Sequence, residues 1–278
     1  MQIERVAADE VSAHYREHGF AVPRYRLPPT RLAALQALAA RLIDDNRHLG
    51  DQPMVCPHVP GGGVQGLKGD RAWLAISLEP AILDLVESVV GPDIILWGTN
   101  LFAKPAGVGR RVPFHRDGRY WPIEPLASVT VWIAVERCDA ENGCLRVVPG
   151  SHRARAVGTH YTSQRPEDLI PETLDPREYD AGSAVDVVLE AGEMVLFDVY
   201  TIHGSNPNTS DRRRIGYAMR YMPSTSRFVH DAAERRDQPS SAHHTRPLFL
   251  VRGTDRCGAN DFRTGHPEGS LGLPPYSE

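Results

Sequence analysis

Apolar residues recur at helical spacing through the first ninety positions and at strand spacing beyond them. Asp9 to His18 reads as a short helix with Val11 and Tyr15 on one side, ended by Gly19, which accepts the left-handed cap conformation. Phe20-Ala21-Val22 then reads as extended. After Pro28-Pro29, Thr30 is placed to cap a helix whose Leu32, Leu35, Leu38 and Leu42 form one buried stripe. Leu78 to Val90 repeats the pattern with Ile82, Leu85, Val86 and Val89, and Gly91-Pro92 ends it.

From Ile94 the period changes. Ile94 to Phe102, Ser128 to Val135, Leu145 to Val148, Ala184 to Leu189, Glu193 to Asp198 and Ile215 to Met222 read as strands with turn residues between them. Asn142-Gly143 carries the best hairpin-turn chemistry in the chain and stands between the second and third of these. Strands that follow helices without strict alternation argue against a parallel βαβ design and for a mainly β core of packed sheets with flanking helices.

Two segments break the strand pattern. Residues 151–182, rich in Pro, Arg and Asp, are expected to form a lid loop over the substrate, and residues 224–278, with His230, His243, His244 and His266, a wrap over the core. His243-His244 reads as a solvated pair, since no carboxylate or cysteine stands at ligand spacing from it. The stretch Pro60 to Gly66 formally matches G-x-G-x-x-G. Pro53, Pro57 and Pro60 before it and Gly69 after it deny the strand and helix that a dinucleotide site needs, so it is expected as a mobile loop at a site rim, with Gln65 and Lys68 as pocket candidates.

Composition narrows the function. A chain of 278 residues with 41% hydrophobic content can bury a full core as one domain. A net charge of -4 and scattered basic residues leave no footprint for nucleic acid. The four cysteines form no C-x-x-C pair, and the chain opens without a basic-then-apolar leader, which fits a reduced cytoplasmic setting. No apolar run approaches the roughly 18 residues of a membrane span, so no membrane partner is expected. Oligomeric state is not legible.

The chemistry concentrates in Phe114-His115-Arg116-Asp117-Gly118 and Thr201-Ile202-His203-Gly204-Ser205. On an extended strand, side chains two apart leave the same face, so His115 and Asp117 can grip one ion from one side. His203 is the natural third ligand. Two imidazoles and one carboxylate on one face make the set suited to non-haem Fe(II), with open positions left for reactants. With these residues at these positions, the fitting architecture is a jelly roll of two antiparallel sheets whose mouth holds the site.

The order His115-Arg116-Asp117-Gly118-Arg119-Tyr120-Trp121-Pro122, Trp132, Asn142-Gly143-Cys144-Leu145, Val148-Pro149-Gly150-Ser151-His152, Gly192-Glu193-Met194-Val195-Leu196-Phe197 and His203-Gly204-Ser205 resembles the phytanoyl-CoA dioxygenase family. The resemblance is specific from about Gly91 to Pro223. It implies a double-stranded β-helix of cupin-like type, with His115, Asp117 and His203 as catalytic metal ligands and Fe(II), 2-oxoglutarate and O2 as cofactor and cosubstrates. Arg214, eleven positions beyond His203, stands where the family holds the far carboxylate of 2-oxoglutarate, with Ser205 beside it. Strand alternation leaves Arg212 or Arg213 to solvent. Trp132 and Asn100 match positions that contact the cosubstrate, and plain core packing is the alternative for both. Arg119, Tyr120 and Trp121 are placed either to line a substrate pocket or to serve as rim and core.

The implied reaction is hydroxylation of an unactivated C–H in a small molecule, amino-acid-like or a natural-product intermediate, with release of succinate and CO2. The metal-binding Asp117 favours hydroxylation over halogenation. Desaturation, cyclisation or epimerisation by the same machinery is the alternative, and a metal-binding or sensing jelly roll without cosubstrate is the rival from another class. Arg214 and Ser205 discriminate against that rival, which has no use for a buried cation there.

Overall fold

The computed structural model describes residues 3–60, 65–231 and 243–266. The helix Val11–His18 ends as expected at Gly19, whose φ of 81° is open to glycine. A Cβ there would also stand 2.5 Å from His152 Nδ1, so the cap is closed on space as well as on conformation. The next helix, Pro29–Asp45, begins one residue before the expected cap: Pro28 is the cap, and Thr30 lies in the first turn. A proline at the first helical position loses no hydrogen bond there, because that N–H has no helical acceptor. Leu35, Ala39 and Leu42 are buried, and Leu32 and Leu38 pack partly buried on the same core. The second main helix is Pro80–Val90, preceded by a single turn at Leu74–Ser77.

Two sheets face one another. The larger runs in the order Arg5–Val6, Phe20–Pro23, Met194–Asp198, Val129–Ala134, Arg214–Pro223, Ile94–Lys104 and Phe249–Arg252, with Met54–Val55 also pairing on the long 94–104 strand. The smaller runs Val185–Val187, Leu145–Val147, His203–Ser205 and Val112–His115. Apart from the pair at Arg5–Val6 all these neighbours are antiparallel, as a jelly roll requires. Alternation on Arg214–Pro223 divides its labour. Ile215, Tyr217, Met219 and Tyr221 join the core under the helices, while Arg214, Ala218 and Arg220 face the space between the sheets.

Several expectations are corrected. The Asn142-Gly143 turn does not close a hairpin, because Val129–Ala134 lies in the large sheet and Leu145–Val147 in the small one, so this loop carries the chain across the sandwich. Asn142 is fully buried and braces that crossing, its amide donating to the Arg137 carbonyl (2.8 Å) and accepting from Asp139 N–H (2.8 Å). The 151–182 segment carries an antiparallel pair, His160–Thr162 with Glu172–Leu174, that its mixed composition conceals. Within 224–278, Phe249–Arg252 adds a strand to the large sheet. His243 is buried at 8% exposure and only His244 is exposed, so the two are not a solvated pair. The glycine-rich 61–64 lies outside the described residues.

Candidate active site

His115 closes the strand Val112–His115, and His203 opens His203–Ser205; the two are direct Cα partners in an antiparallel register. That register brings their rings to 4.3 Å between centroids. Arg116 stays extended (φ -117°, ψ 127°), so Asp117, starting a 3-10 turn, returns to the His115 side. The side chain of Arg116 points elsewhere, donating to the Tyr200 carbonyl at 3.1 Å and to Glu178 at 3.3 Å.

Both imidazoles are oriented the same way. His115 Nδ1 donates to the Pro113 carbonyl (3.0 Å) and His203 Nδ1 to the Thr201 carbonyl (2.9 Å). Carbonyls only accept, which fixes each tautomer and leaves both Nε2 lone pairs toward Asp117. Nε2 of His115 lies 3.6 Å from one carboxylate oxygen and Nε2 of His203 lies 3.9 Å from the other. These distances are too long for hydrogen bonds, and the three ligand atoms fall within 4.8 Å of one another, ringing a common point. All three side chains are buried. Burial and the neighbouring His115 lower the pKa of His203 to about 4, keeping its ring neutral. Burial would raise Asp117, but the facing His203 and His115 outweigh it and hold the carboxyl below its ordinary value. A neutral imidazole pair and an ionised carboxylate converging without bonding one another fit a divalent metal. Among the described residues no other His, Cys, Asp and Glu group is arranged to do so.

These residues border a cavity of about 270 Å³ between the sheets. Arg214 lines it, 3% exposed, and among the described residues its Nε has no hydrogen-bond partner. Burial lowers its pKa, and the groups nearest to offset that are the thiols of Cys138 and Cys144, which burial itself keeps protonated and uncharged, so among the described residues no carboxylate supports its charge. Arg212 and Arg213 turn outward to Asp139 and Glu136. The Arg214 guanidinium lies 5.6 Å from the Trp132 ring, and Trp132 also borders the cavity. That indole covers the strand at Gly216, where a Cβ would stand 1.8 Å from Trp132 Cζ2. Ser205 accepts from Lys104 Nζ at 2.7 Å rather than meeting Arg214 directly.

Asn100 borders the cavity, and its Oδ1 accepts from Arg220 Nη1. Tyr120 and Trp121 line the cavity too; Arg119 is exposed and does not. Gln65 reaches the wall but is tied to the backbone of Val55 and Pro53, while Lys68 is not among the lining residues. Residues 169–172, within the 151–182 segment expected as a lid, also line it.

Two residues were missed. Lys104, the direct partner of Arg214 in the sheet, is 1% exposed and donates to Ser205 Oγ and the Asn206 carbonyl. Burial, with Arg214 nearby, lowers its pKa to about 6. A lysine closing an apolar strand was its signal. Arg220, six residues beyond Arg214 on the same strand face, was marked by that even spacing.

The fold agrees with comparison to known proteins. The phytanoyl-CoA dioxygenase (PhyH) family model matches residues 15–216, most of the chain. The peroxisomal phytanoyl-CoA dioxygenase of Bos taurus is 31% identical over 171 residues, covering 60% of this chain and 50% of its own. The Homo sapiens enzyme is 29% identical over 172 residues, with the same coverage. The chain thus spans about half the length of the curated relatives it matches. Among solved structures, the non-heme monooxygenase ThoJ superposes with a TM-score of 0.67 at 26% identity, over 88% of this chain and 84% of its own. The alpha-ketoglutarate-dependent carbocyclase SnoK (0.62, 22%, 83% and 91%) shares the fold. By the family model's match over most of its length, the chain belongs to the phytanoyl-CoA dioxygenase family, whose enzymes are Fe(II)- and 2-oxoglutarate-dependent oxygenases.

Proposed function

We propose that the chain hydroxylates an unactivated C–H bond of a small molecule, using Fe(II), 2-oxoglutarate and O2, with His115, Asp117 and His203 as metal ligands and Arg214 as the anchor of the cosubstrate's far carboxylate. Bound metal and cosubstrates supply the oxidising chemistry, with succinate and CO2 released. The chain's own residues position and insulate. Carbonyls of Pro113 and Thr201 lock the ring orientations of His115 and His203. Arg214 offers a planar fork that takes a carboxylate through two parallel hydrogen bonds, and Trp132 holds that fork flat against the wall. Tyr120, Trp121 and 169–172 surround the remaining space, which suits a small, partly apolar molecule, amino-acid-like or a natural-product intermediate.

The observation that carries this reading is the Arg214 guanidinium, buried in the cavity that the convergent His-Asp-His set also lines, with no carboxylate of its own among the described residues. Leaving such a cation buried is costly, and a metal-binding or sensing protein without a cosubstrate has no reason to bear that cost. The test is anaerobic titration with Fe(II) and then 2-oxoglutarate, watching for the weak visible charge-transfer band of a chelated keto acid. A band saturating at one equivalent, weakened in Arg214→Gln and retained in Arg212→Gln, supports the assignment. Iron binding without the band refutes it. Product analysis after succinate release then separates hydroxylation from desaturation, cyclisation or epimerisation.

A further inference from the structure

The cavity wall carries a second, half-buried cation, Arg220, that the reading above leaves unused. Arg220 lies on the same face of the same strand, separated from Arg214 by Ala218 and by the Trp132 indole that covers Gly216, so the two guanidinium groups stand apart as separate sites. Its direct partners in the sheet are Gly98 and Thr130, and neither is charged. The guanidinium is held between aromatic walls, 5.2 Å from the Trp121 ring and 5.8 Å from the Trp97 ring. Nη1 donates to Asn100 Oδ1. Because an arginine only donates, that bond orients the Asn100 amide with its Nδ2 donors turned away from Arg220. Among the described residues Nε of Arg220 is buried without a partner.

The charges facing Arg220 say what is missing. Burial disfavours its charge, the like charge of Arg246 adds to that, and the carboxylate whose field supports it among the described residues is Asp117. On the proposed function Asp117 is a metal ligand, so its charge is spent on the ion. No ion pair joins the two within 4.0 Å, and the intervening space belongs to the cavity. A cavity-lining guanidinium whose buried Nε is unpaired, with an aromatic mount and an amide oriented beside it, is a built anion seat.

Resting on the reading that the cavity holds Fe(II) and 2-oxoglutarate, we infer that Arg220, with Asn100, forms a second carboxylate seat next to Asp117, distinct from the Arg214 seat. The carboxylate comes either from the keto-acid end of the cosubstrate or from the substrate, which would then be an organic acid. Arg220 is in this sense a binding and specificity residue. Arg220→Lys keeps a charge but loses the planar fork, so it should recover only part of the affinity.

The experiment uses the full chain loaded anaerobically with Fe(II), in wild type, Arg220→Gln, Arg220→Lys and Arg214→Gln, with circular dichroism melts confirming that each folds. The first probe is 2-oxovalerate, which has the keto-acid end and lacks the far carboxylate. The second is phenylacetate added to protein already saturated with 2-oxoglutarate, read by perturbation of the charge-transfer band and by tryptophan fluorescence, since Trp97 and Trp121 flank the seat. A rise of tenfold or more in the 2-oxovalerate Kd in Arg220→Gln, with Arg214→Gln near wild type, supports the seat and assigns it to the cosubstrate. Unchanged 2-oxovalerate binding with tenfold or greater loss of phenylacetate binding supports it and assigns it to the substrate. Wild-type Kd values for both probes in Arg220→Gln and Arg220→Lys overturn it. If Arg220→Gln does not fold, Arg220→Lys decides alone, with a threefold or greater rise in either Kd supporting the seat and none overturning it. Failure of the wild type to bind 2-oxoglutarate would instead strike the proposed function itself, so the two failures are told apart.

Discussion

Gly216→Ala adds one methyl group at a position where the fold has no room for it. The new Cβ would lie 1.8 Å from Trp132 Cζ2, 2.2 Å from Cε2 and 2.6 Å from Cη2. Gly216 does not have a left-handed φ, so the cost is steric and not conformational. Neither side yields easily: Gly216 is the third residue of a ten-residue strand and is paired on both edges, and Trp132 is 4% exposed on the adjacent strand. Overpacking of a rigid site costs about 1–3 kcal/mol, and a clash this deep belongs at about 3. At about 2–4 °C per kcal/mol for a domain near this size, the melting temperature should fall by about 6–12 °C. Because the displaced indole is also the mount of Arg214, the 2-oxoglutarate affinity of the folded fraction should fall as well. The assay is a double-mutant cycle by thermal and denaturant melts. Trp132→Ala removes the obstacle, so the double variant should be less destabilised than the sum of the singles by about 2–3 kcal/mol. A Gly216→Ala protein melting within about 2 °C of wild type, or a cycle with no coupling, would refute the account of how Trp132 is held.

The remaining predictions concern charge and metal. Lys104, with its folded pKa lowered to about 6, binds fewer protons folded than unfolded between that value and the ordinary lysine pKa, so stability of the ligand-free protein should climb with pH across this window by at most about 1.4 kcal/mol per unit. Lys104→Met should flatten that slope between pH 6.5 and 8.5 in urea melts; an unchanged slope contradicts the neutral, buried amine. Asp117→Ala should abolish succinate release and Fe(II) binding by calorimetry while the circular dichroism spectrum is retained, and turnover in that variant would sink the triad. Arg214→Ala should weaken 2-oxoglutarate binding by about 3–5 kcal/mol, the scale for breaking a buried charge pair, with an unchanged Kd moving the role elsewhere.

The difference between what the sequence disclosed and what it hid follows from how far each feature is encoded locally. Long strands such as Ile94–Lys104 and Arg214–Pro223 repeat their alternation often enough to be read directly. The strands that carry the histidines, Val112–His115 and His203–Ser205, are four and three residues long with polar residues inside, so periodicity does not show them. They were nevertheless located by chemistry, since ligand residues two apart and the arginine beyond His203 follow a family pattern. Pairing partners are not local at all: Asn142-Gly143 has the residues of a hairpin turn, yet the strands it joins lie in different sheets and meet face to face through Trp132, Ala134, Leu145 and Val147 in one apolar cluster. The same limit concealed Lys104 and Arg220. Each is an isolated basic residue at or inside an apolar strand, which in one dimension looks like an edge or an interruption. Only the register that sets Lys104 opposite Arg214 ties it to Ser205 of the cavity wall, and only the aromatic mount beside Trp121 makes Arg220 the second cation of that cavity. A cavity built that way selects its contents by charge before it selects by shape.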